Sequence, residues 1–338
     1  MPPKSSSSKA KKPASKKVSP PDGTYTPPTK GVLSKLPASW VPYAELVRLE
    51  QPHGNYMIYF PHLLGLIYAS SISPVAVPAS TLAHRAGIFA IWTFLMRGAG
   101  CAWNDNTDRE FDRRTARCRN RPIARGAVSP TQGHIFTLVL TLLAFWAIQS
   151  LPSECTYVGL GTTVLAAIYP FGKRFTNFPQ VILGSTLAST IALSSYSVGL
   201  PALSLAYVGP TLCLTATIVL LVIFYDTVYA RQDTADDLKS GVKGMAVYFR
   251  NHLGALLAVL TTSIAGVLFT LGQLVAMGPY FFTLSVAGVF TALVLMIAVV
   301  HWGLIPQWTG HSGWFYALAI SNLLGGFILE YTTKTARV

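Results

Sequence analysis

Two short segments carry most of the acidic side chains. One reads Asn104-Asp105-Asn106-Thr107-Asp108-Arg109-Glu110-Phe111-Asp112, and the other holds Asp226, Asp233, Asp236 and Asp237. On a helix turning about 100° per residue, Asn104, Asp105, Asp108 and Asp112 spread over about 100° of one face, with Arg97 two turns earlier on the same face. Asp226, Asp233 and Asp237 stand at i, i+7 and i+11, within about 40° of one another. Glu110 and Asp236 point elsewhere. Carboxylates stacked in this way repel one another and call for a counter-charge. Oxygen donors without His or Cys favour a hard ion, Mg²⁺ or Mn²⁺. Magnesium keeps part of its shell for water and substrate phosphate, and Arg and Lys nearby suit phosphate oxygens. The two clusters together predict a diphosphate site bridged by magnesium, with apolar space beside it for a long hydrocarbon.

The elements that must position these residues are membrane helices. The chain has 338 residues, 51% hydrophobic and only 12% charged, with a formal net charge of +13. An ordinary soluble domain is roughly 25% charged. Residues 175–225 and 251–329 contain no Asp, Glu, Lys or Arg. A soluble single domain and a disordered chain are both excluded on these grounds. A bilayer crossing takes about 20 apolar residues. Such runs fall at 55–72, 82–102, 133–152, 155–170, 178–200, 202–225, 252–273, 279–300 and 313–330, which predicts an all-α bundle of about nine transmembrane helices around a central cavity. The loops after runs 2, 4 and 6 carry the positive charge: Arg109 to Arg125, then Lys173 and Arg174, then Arg231 to Arg250. This places them, and both acidic clusters, on the cytosolic side. The pattern of apolar helix, acidic cluster and basic stretch occurs twice, a coarse internal echo.

Residues 1–40 are expected to be a disordered tail and 41–338 the multi-span domain. The first 35 residues hold eight Lys and one Asp. They lack the apolar core of a secretory signal, and with no Arg they make a poor mitochondrial presequence. The tail reads as a solvated cytosolic arm beside anionic lipid; nucleic-acid binding is not expected. Cys101, Cys118, Cys155 and Cys213 show no CxxC spacing, so neither zinc nor a disulfide framework is indicated.

At this point the residues resemble a known family, the UbiA-type membrane prenyltransferases. The first cluster is similar to that family's NDxxDxxxD. Tyr225-Asp226-Thr227-Val228-Tyr229-Ala230-Arg231-Gln232-Asp233-Thr234-Ala235-Asp236-Asp237 resembles its second motif and is followed by Gly241-Val242-Lys243. Arg48 to Gly54, Arg121 to Gly126, Tyr169-Pro170 with Lys173 to Thr176, and Pro179-Gln180 also match, so the likeness runs over about residues 40 to 330. Gln51, His53 and Gly172 depart from the family's usual residues, which bears on the acceptor side. The resemblance implies a nine-helix fold. It implies one Mg²⁺ on Asn104, Asp108, Asp105 and Asp112, and another on Asp233, Asp237 and Asp226. Arg97, Arg117, Arg121, Lys173, Arg174 and Lys243 would neutralise the diphosphate. Tyr169, Tyr225 and Tyr229 would present aromatic faces to an allylic cation, which an electron-rich aromatic ring then attacks to form a C–C bond.

Two branches of that family compete. One farnesylates aromatic polyketide acids in fungal meroterpenoid biosynthesis, which implies farnesyl diphosphate as donor, an aromatic acid as acceptor and an endomembrane (ER-like) location. The other is the 4-hydroxybenzoate polyprenyltransferase of ubiquinone biosynthesis in the mitochondrial inner membrane. Tyr25-Thr26-Pro27-Pro28, Leu36 to Tyr43, and Gly244-Met245-Ala246-Val247 look more like the first. A CDP-alcohol phosphotransferase would need a contiguous DGxxARR-type signature, which is missing. A cation transporter would place its carboxylates near mid-membrane rather than at helix ends. Oligomeric state is not legible.

Overall fold

The computed structural model describes residues 25–115, 118–305, 307 and 310–335. Nine long helices follow one another among these residues: α1 (His53–Ile72), α2 (Ala79–Thr107), α3 (Pro130–Ala147), α4 (Ser153–Phe175), α5 (Pro179–Ser197), α6 (Val208–Ala230), α7 (Leu253–Leu274), α8 (Phe281–His301) and α9 (Ser312–Thr335). No strand occurs among the described residues. Six of the nine, α2, α4, α6, α7, α8 and α9, are long and apolar enough to cross a membrane. Each expected apolar run corresponds to a helix, and most of the ends move by only a few residues. The largest shift is at α6, which begins at Val208 rather than at 202. Gly199 takes a left-handed φ of +84° just before Pro201, so the chain turns there instead of continuing helical.

Local sequence explains several helix ends. Ser129 caps α3 through a reciprocal capping box with Gln132, and Pro130 occupies the first turn, where its missing N–H costs nothing. The short helix Thr234–Ser240 stops at Gly241, whose φ of +72° suits glycine. At 29 residues α2 is about 43 Å long, longer than the ~30 Å hydrocarbon layer. Its last turns, with Asn104 to Thr107, therefore project beyond the apolar slab.

The helices pack in a ring. α1 touches α2, α5 and α9, while α4, α5, α6, α7, α8 and α9 follow each other as neighbours, and α3 packs on the outside of α2. Contact between α1 and α5 divides the ring into two halves. On the outer face α3 leaves Ile135, Leu138, Leu142 and Trp146 exposed, a surface suited to lipid. Residues 25–40, counted with the tail in the sequence reading, lie against the domain: Leu33 is buried, and the Tyr25 hydroxyl donates to Glu45 at 2.7 Å.

Candidate active site

One cavity of about 710 Å³ opens at the end of the bundle where α2, α4 and α6 finish and α1 and α5 begin. That volume is in the usual range for a small-molecule site, ~300–1,000 Å³. Both acidic clusters line it: Asn104, Asp105, Asp108 and Asp112 from α2 and the short helix Arg109–Arg114, and Asp226, Asp233 and Asp237 from α6 and the turns beyond it. The two helices keep their acids aligned differently. Past α2, Asp108 donates its N–H to Asn104 and Asp112 donates to Asp108, so helical spacing survives a bend at Asp108. Past α6 the chain tightens into a 3₁₀ turn over Arg231–Asp233 before Thr234–Ser240, yet the three aspartates still share the cavity wall.

The first cluster divides by partner. Asp105 is fully buried and receives Arg48 Nη2 at 2.7 and 3.0 Å and Arg121 Nη1 at 3.1 Å. Asp112 receives Arg121 Nη1 at 2.9 and 3.2 Å. These two carboxylates, counted with the ion ligands in the sequence reading, hold arginines in this structure. Burial pushes the Asp112 carboxyl up to about 6, while the Arg121 charge pulls it back. Among the described residues, Asp108 has only long charge contacts, 3.6 Å to Lys173 and 3.7 Å to Arg174. Asn104 Oδ1 is buried without a hydrogen-bond partner, an unmet cost for a polar atom. A lone acceptor beside a loosely paired carboxylate fits a hard cation, as do Asp226, Asp233 and Asp237 across the cavity. No three His, Cys, Asp or Glu side chains converge on one point among the described residues; magnesium uses one or two carboxylates and leaves the rest of its shell to phosphate and water.

The cationic rim comes from several segments. Lys173 has its ammonium 5.6 Å from the centre of the Tyr169 ring, and both line the cavity. Arg174 donates to the Thr107 carbonyl at 2.8 Å and covers Phe111 and Phe171. Lys243 lines the cavity, and its backbone N–H donates to the Lys173 carbonyl at 3.1 Å. Gln180 on α5 stands beside Asp226 and accepts the Met245 N–H at 3.3 Å. The loop after Gly241 is thereby pinned to the ends of α4 and α5. On the outer side Arg125 pairs with Glu45 at 2.5 Å and lies 3.7 Å over the Tyr25 ring, which fixes the loop that carries Arg121.

Some expected residues take other places. Arg97 touches the cavity, but its guanidinium donates to the carbonyls of Val47, Arg48 and Gln51 at 3.0 to 3.4 Å. Gly54 makes that approach possible: a Cβ there would stand 2.5 Å from Arg97 Nη2. Tyr229 lines the cavity, whereas Tyr225 turns away to pack on Tyr316, ring centres 4.4 Å apart. Arg117 lies outside the described residues. Arg48 and Gln180 were given no role from sequence, although both fall inside the family-like segments; neither has a periodic relation to the aspartates it meets.

The site is thus a polar mouth with two facing rows of oxygen donors, a basic rim, and a deep pocket between four helices. The chain belongs to the UbiA prenyltransferase family, whose model matches residues 58–323. It is 72% identical over 313 residues to the prenyltransferase ascA of Acremonium egyptiacum, covering 93% of this chain and 92% of that one. It is 37% identical over 300 residues to the DMOA farnesyltransferase nvfB of Aspergillus novofumigatus, covering 89% and 94%. The fold is shared with a UbiA homologue from Archaeoglobus fulgidus solved with GPP and Mg²⁺, at a TM-score of 0.56 and 16% identity, over 83% of this chain and 99% of that one. The protein is accordingly a multi-pass membrane protein of that family.

Proposed function

We propose that this chain transfers a farnesyl group from farnesyl diphosphate to an aromatic polyketide acid, forming a C–C bond, in fungal meroterpenoid biosynthesis. The observation that carries the reading is the meeting of two acidic rows and a basic rim at the mouth of one pocket, which is the pattern a prenyl diphosphate requires. The relatives named above supply the branch: one is a named farnesyltransferase.

Asn104 and Asp108 on one wall, and Asp233, Asp237 and Asp226 on the other, are the residues proposed to hold divalent metal. Bound there, magnesium supplies positive charge against a departing diphosphate. Arg121 is held in place and charged by Asp105 and Asp112 and adds fixed positive charge beside it, as do Lys173, Arg174 and Lys243. Such charges act because they are in position before the reaction starts. The Tyr169 and Tyr229 rings border the space where the allylic cation forms and can stabilise it through their faces. The apolar walls keep water from the cation. Arg97 acts by fixing the 47–51 loop, and so the approach of Arg48 to Asp105.

Membranes containing the protein are expected to attach farnesyl to an aromatic acid only with Mg²⁺ or Mn²⁺ present. A panel of C10, C15 and C20 donors against orsellinic-type acids and 4-hydroxybenzoate tests both the donor and the branch. Activity that survives excess chelator overturns the metal reading. Exclusive use of 4-hydroxybenzoate with long donors overturns the acceptor reading in favour of the ubiquinone branch.

A further inference from the structure

The cavity has a floor, and its depth is a length. The lining ends at His62 on α1, at Trp92 and Thr93 on α2, at Thr162 on α4 and at Thr190 on α5. Thr93 lies eleven residues from Asn104, Thr162 eleven from Lys173, and Thr190 eleven from Pro179, and all three of the latter stand at the mouth. At 1.5 Å per residue each interval is about 16 Å.

Directly below that level the bundle closes into a packed layer. Leu66, Phe89, Cys155 and Leu193 are buried in one apolar cluster with Trp92. His62 stacks on Phe89 with ring centres 4.6 Å apart, and its Nδ1 is 3.3 Å from Ser194 Oγ. The Trp92 ring meets Phe145 edge-on, 5.4 Å between centres. It has no room to retreat, because Trp92 Cη2 lies 3.1 Å from where a Cβ on Gly159 would be. Above the floor, Thr162, Thr186 and Thr190 turn their hydroxyls back to carbonyls of their own helices at 2.6 to 2.9 Å. That leaves their methyl groups for the cavity, a wall suited to hydrocarbon.

An extended chain advances about 1.2 Å per bond, since a three-bond residue spans ~3.5 Å. A four-bond isoprene unit is therefore about 5 Å long, three units about 15 Å and four about 20 Å. Three fit the pocket and a fourth meets the floor. We infer that Trp92, backed by the His62–Phe89 stack, is the stop that limits the donor to three isoprene units. The inference rests on the prenyl-transfer reading above and adds the residue that sets its chain length.

The test measures kcat/KM for C10, C15 and C20 diphosphates with one acceptor, in two variants that move the floor in opposite directions. Trp92→Ala deepens the pocket and should raise the C20 to C15 ratio at least about tenfold, the discrimination that surplus carbons in an apolar pocket provide. Thr190→Phe raises the floor and should shift the C10 to C15 ratio by a similar factor toward the shorter donor, so the inference survives a failure of Trp92→Ala to fold. If wild-type protein uses the C15 donor but neither ratio moves in the folded variants, the stop is elsewhere and the inference falls. If wild-type protein transfers none of the three donors, the prenyl-transfer reading itself fails.

Discussion

The ring of helices has a hollow half and a filled half. In the hollow half, α1, α2, α4 and α5 surround the cavity; in the filled half, α6 to α9 close on α1 and α5 with side chains alone. The contrast is sharpest between α2 and α6, which both end in an acidic cluster. Upstream of its cluster, α2 presents Thr93, Met96 and Gly100 to open space. The corresponding stretch of α6 buries Leu214, Ile218, Leu221 and Phe224 in one cluster with Leu257, Leu260 and Ile264 of its neighbour α7 and with Leu293 and Met296 of α8. One acidic helix end thus crowns a pocket, while the other crowns a packed core and lends its aspartates to the neighbouring pocket. The filled half acts as a fixed abutment, which holds one row of oxygen donors at a set distance from the other.

Four substitutions can break or sharpen this contrast. The largest effect is expected at the shared mouth: Asp108→Ala or Asp233→Ala should each lower kcat at least about 10³-fold, because each removes a carboxylate proposed to hold the divalent metal that offsets the diphosphate charge. The protein should still reach the membrane in normal amount. Near wild-type turnover in either variant would show that its row is structural. Next comes the filled half. Phe327 is fully buried and meets Phe281 edge-on at 5.0 Å. Phe327→Ala should cost about 3 kcal/mol of stability, read as a lower melting temperature in detergent, while activity per folded molecule stays within about twofold. A large fall in that specific activity would mean that the filled half does more than support.

The smallest effect concerns acidity at the hollow half. Asp112 titrates at about 6 in the folded protein against 3.8 for a free carboxyl, chiefly because it is buried. The folded state therefore takes up this proton before the unfolded chain does. From this group alone, stability rises as the pH falls from about 6 toward 4, and is lost as the pH climbs back through 6. In Asp112→Asn the inflection near pH 6 in melting temperature should disappear; if it persists, another group is responsible.

Much of the architecture was legible in the sequence because hydrophobic runs and helical periodicity are local signals. Asp226, Asp233 and Asp237 could be placed on one face by counting, and the count survived the 3₁₀ turn in between. The partners that hold the site together were not legible. Arg48 reaches Asp105 across 57 positions, and the Lys243 N–H meets the Lys173 carbonyl across 70; no spacing rule connects either pair. Tyr225 shows the limit in another way. It occupies the correct end of α6, but it lies about 40° further round the helix from Asp226 than Tyr229 does, enough to turn it from the cavity to Tyr316. Arg97 had the right face and height; what redirects its guanidinium is a loop of carbonyls that has no sequence signature. The floor at Trp92 and His62 is assembled from different helices and emerges only from packing.

The solid layer below the cavity has a second consequence, for the membrane rather than for the donor. A cavity with a charged mouth and a floor about 16 Å below it, in a protein that crosses a ~30 Å hydrocarbon layer, is partway to being a pore. Leu66, Phe89, Cys155 and Leu193 pack across the remaining path, and the buried His62 and Ser194 beside them turn to each other. An ion entering from the mouth would meet a dry apolar wall, where a bare charge is costly. The same layer that ends the pocket therefore insulates the bilayer, so a charged cleft can stay open on one side without becoming a path for ions.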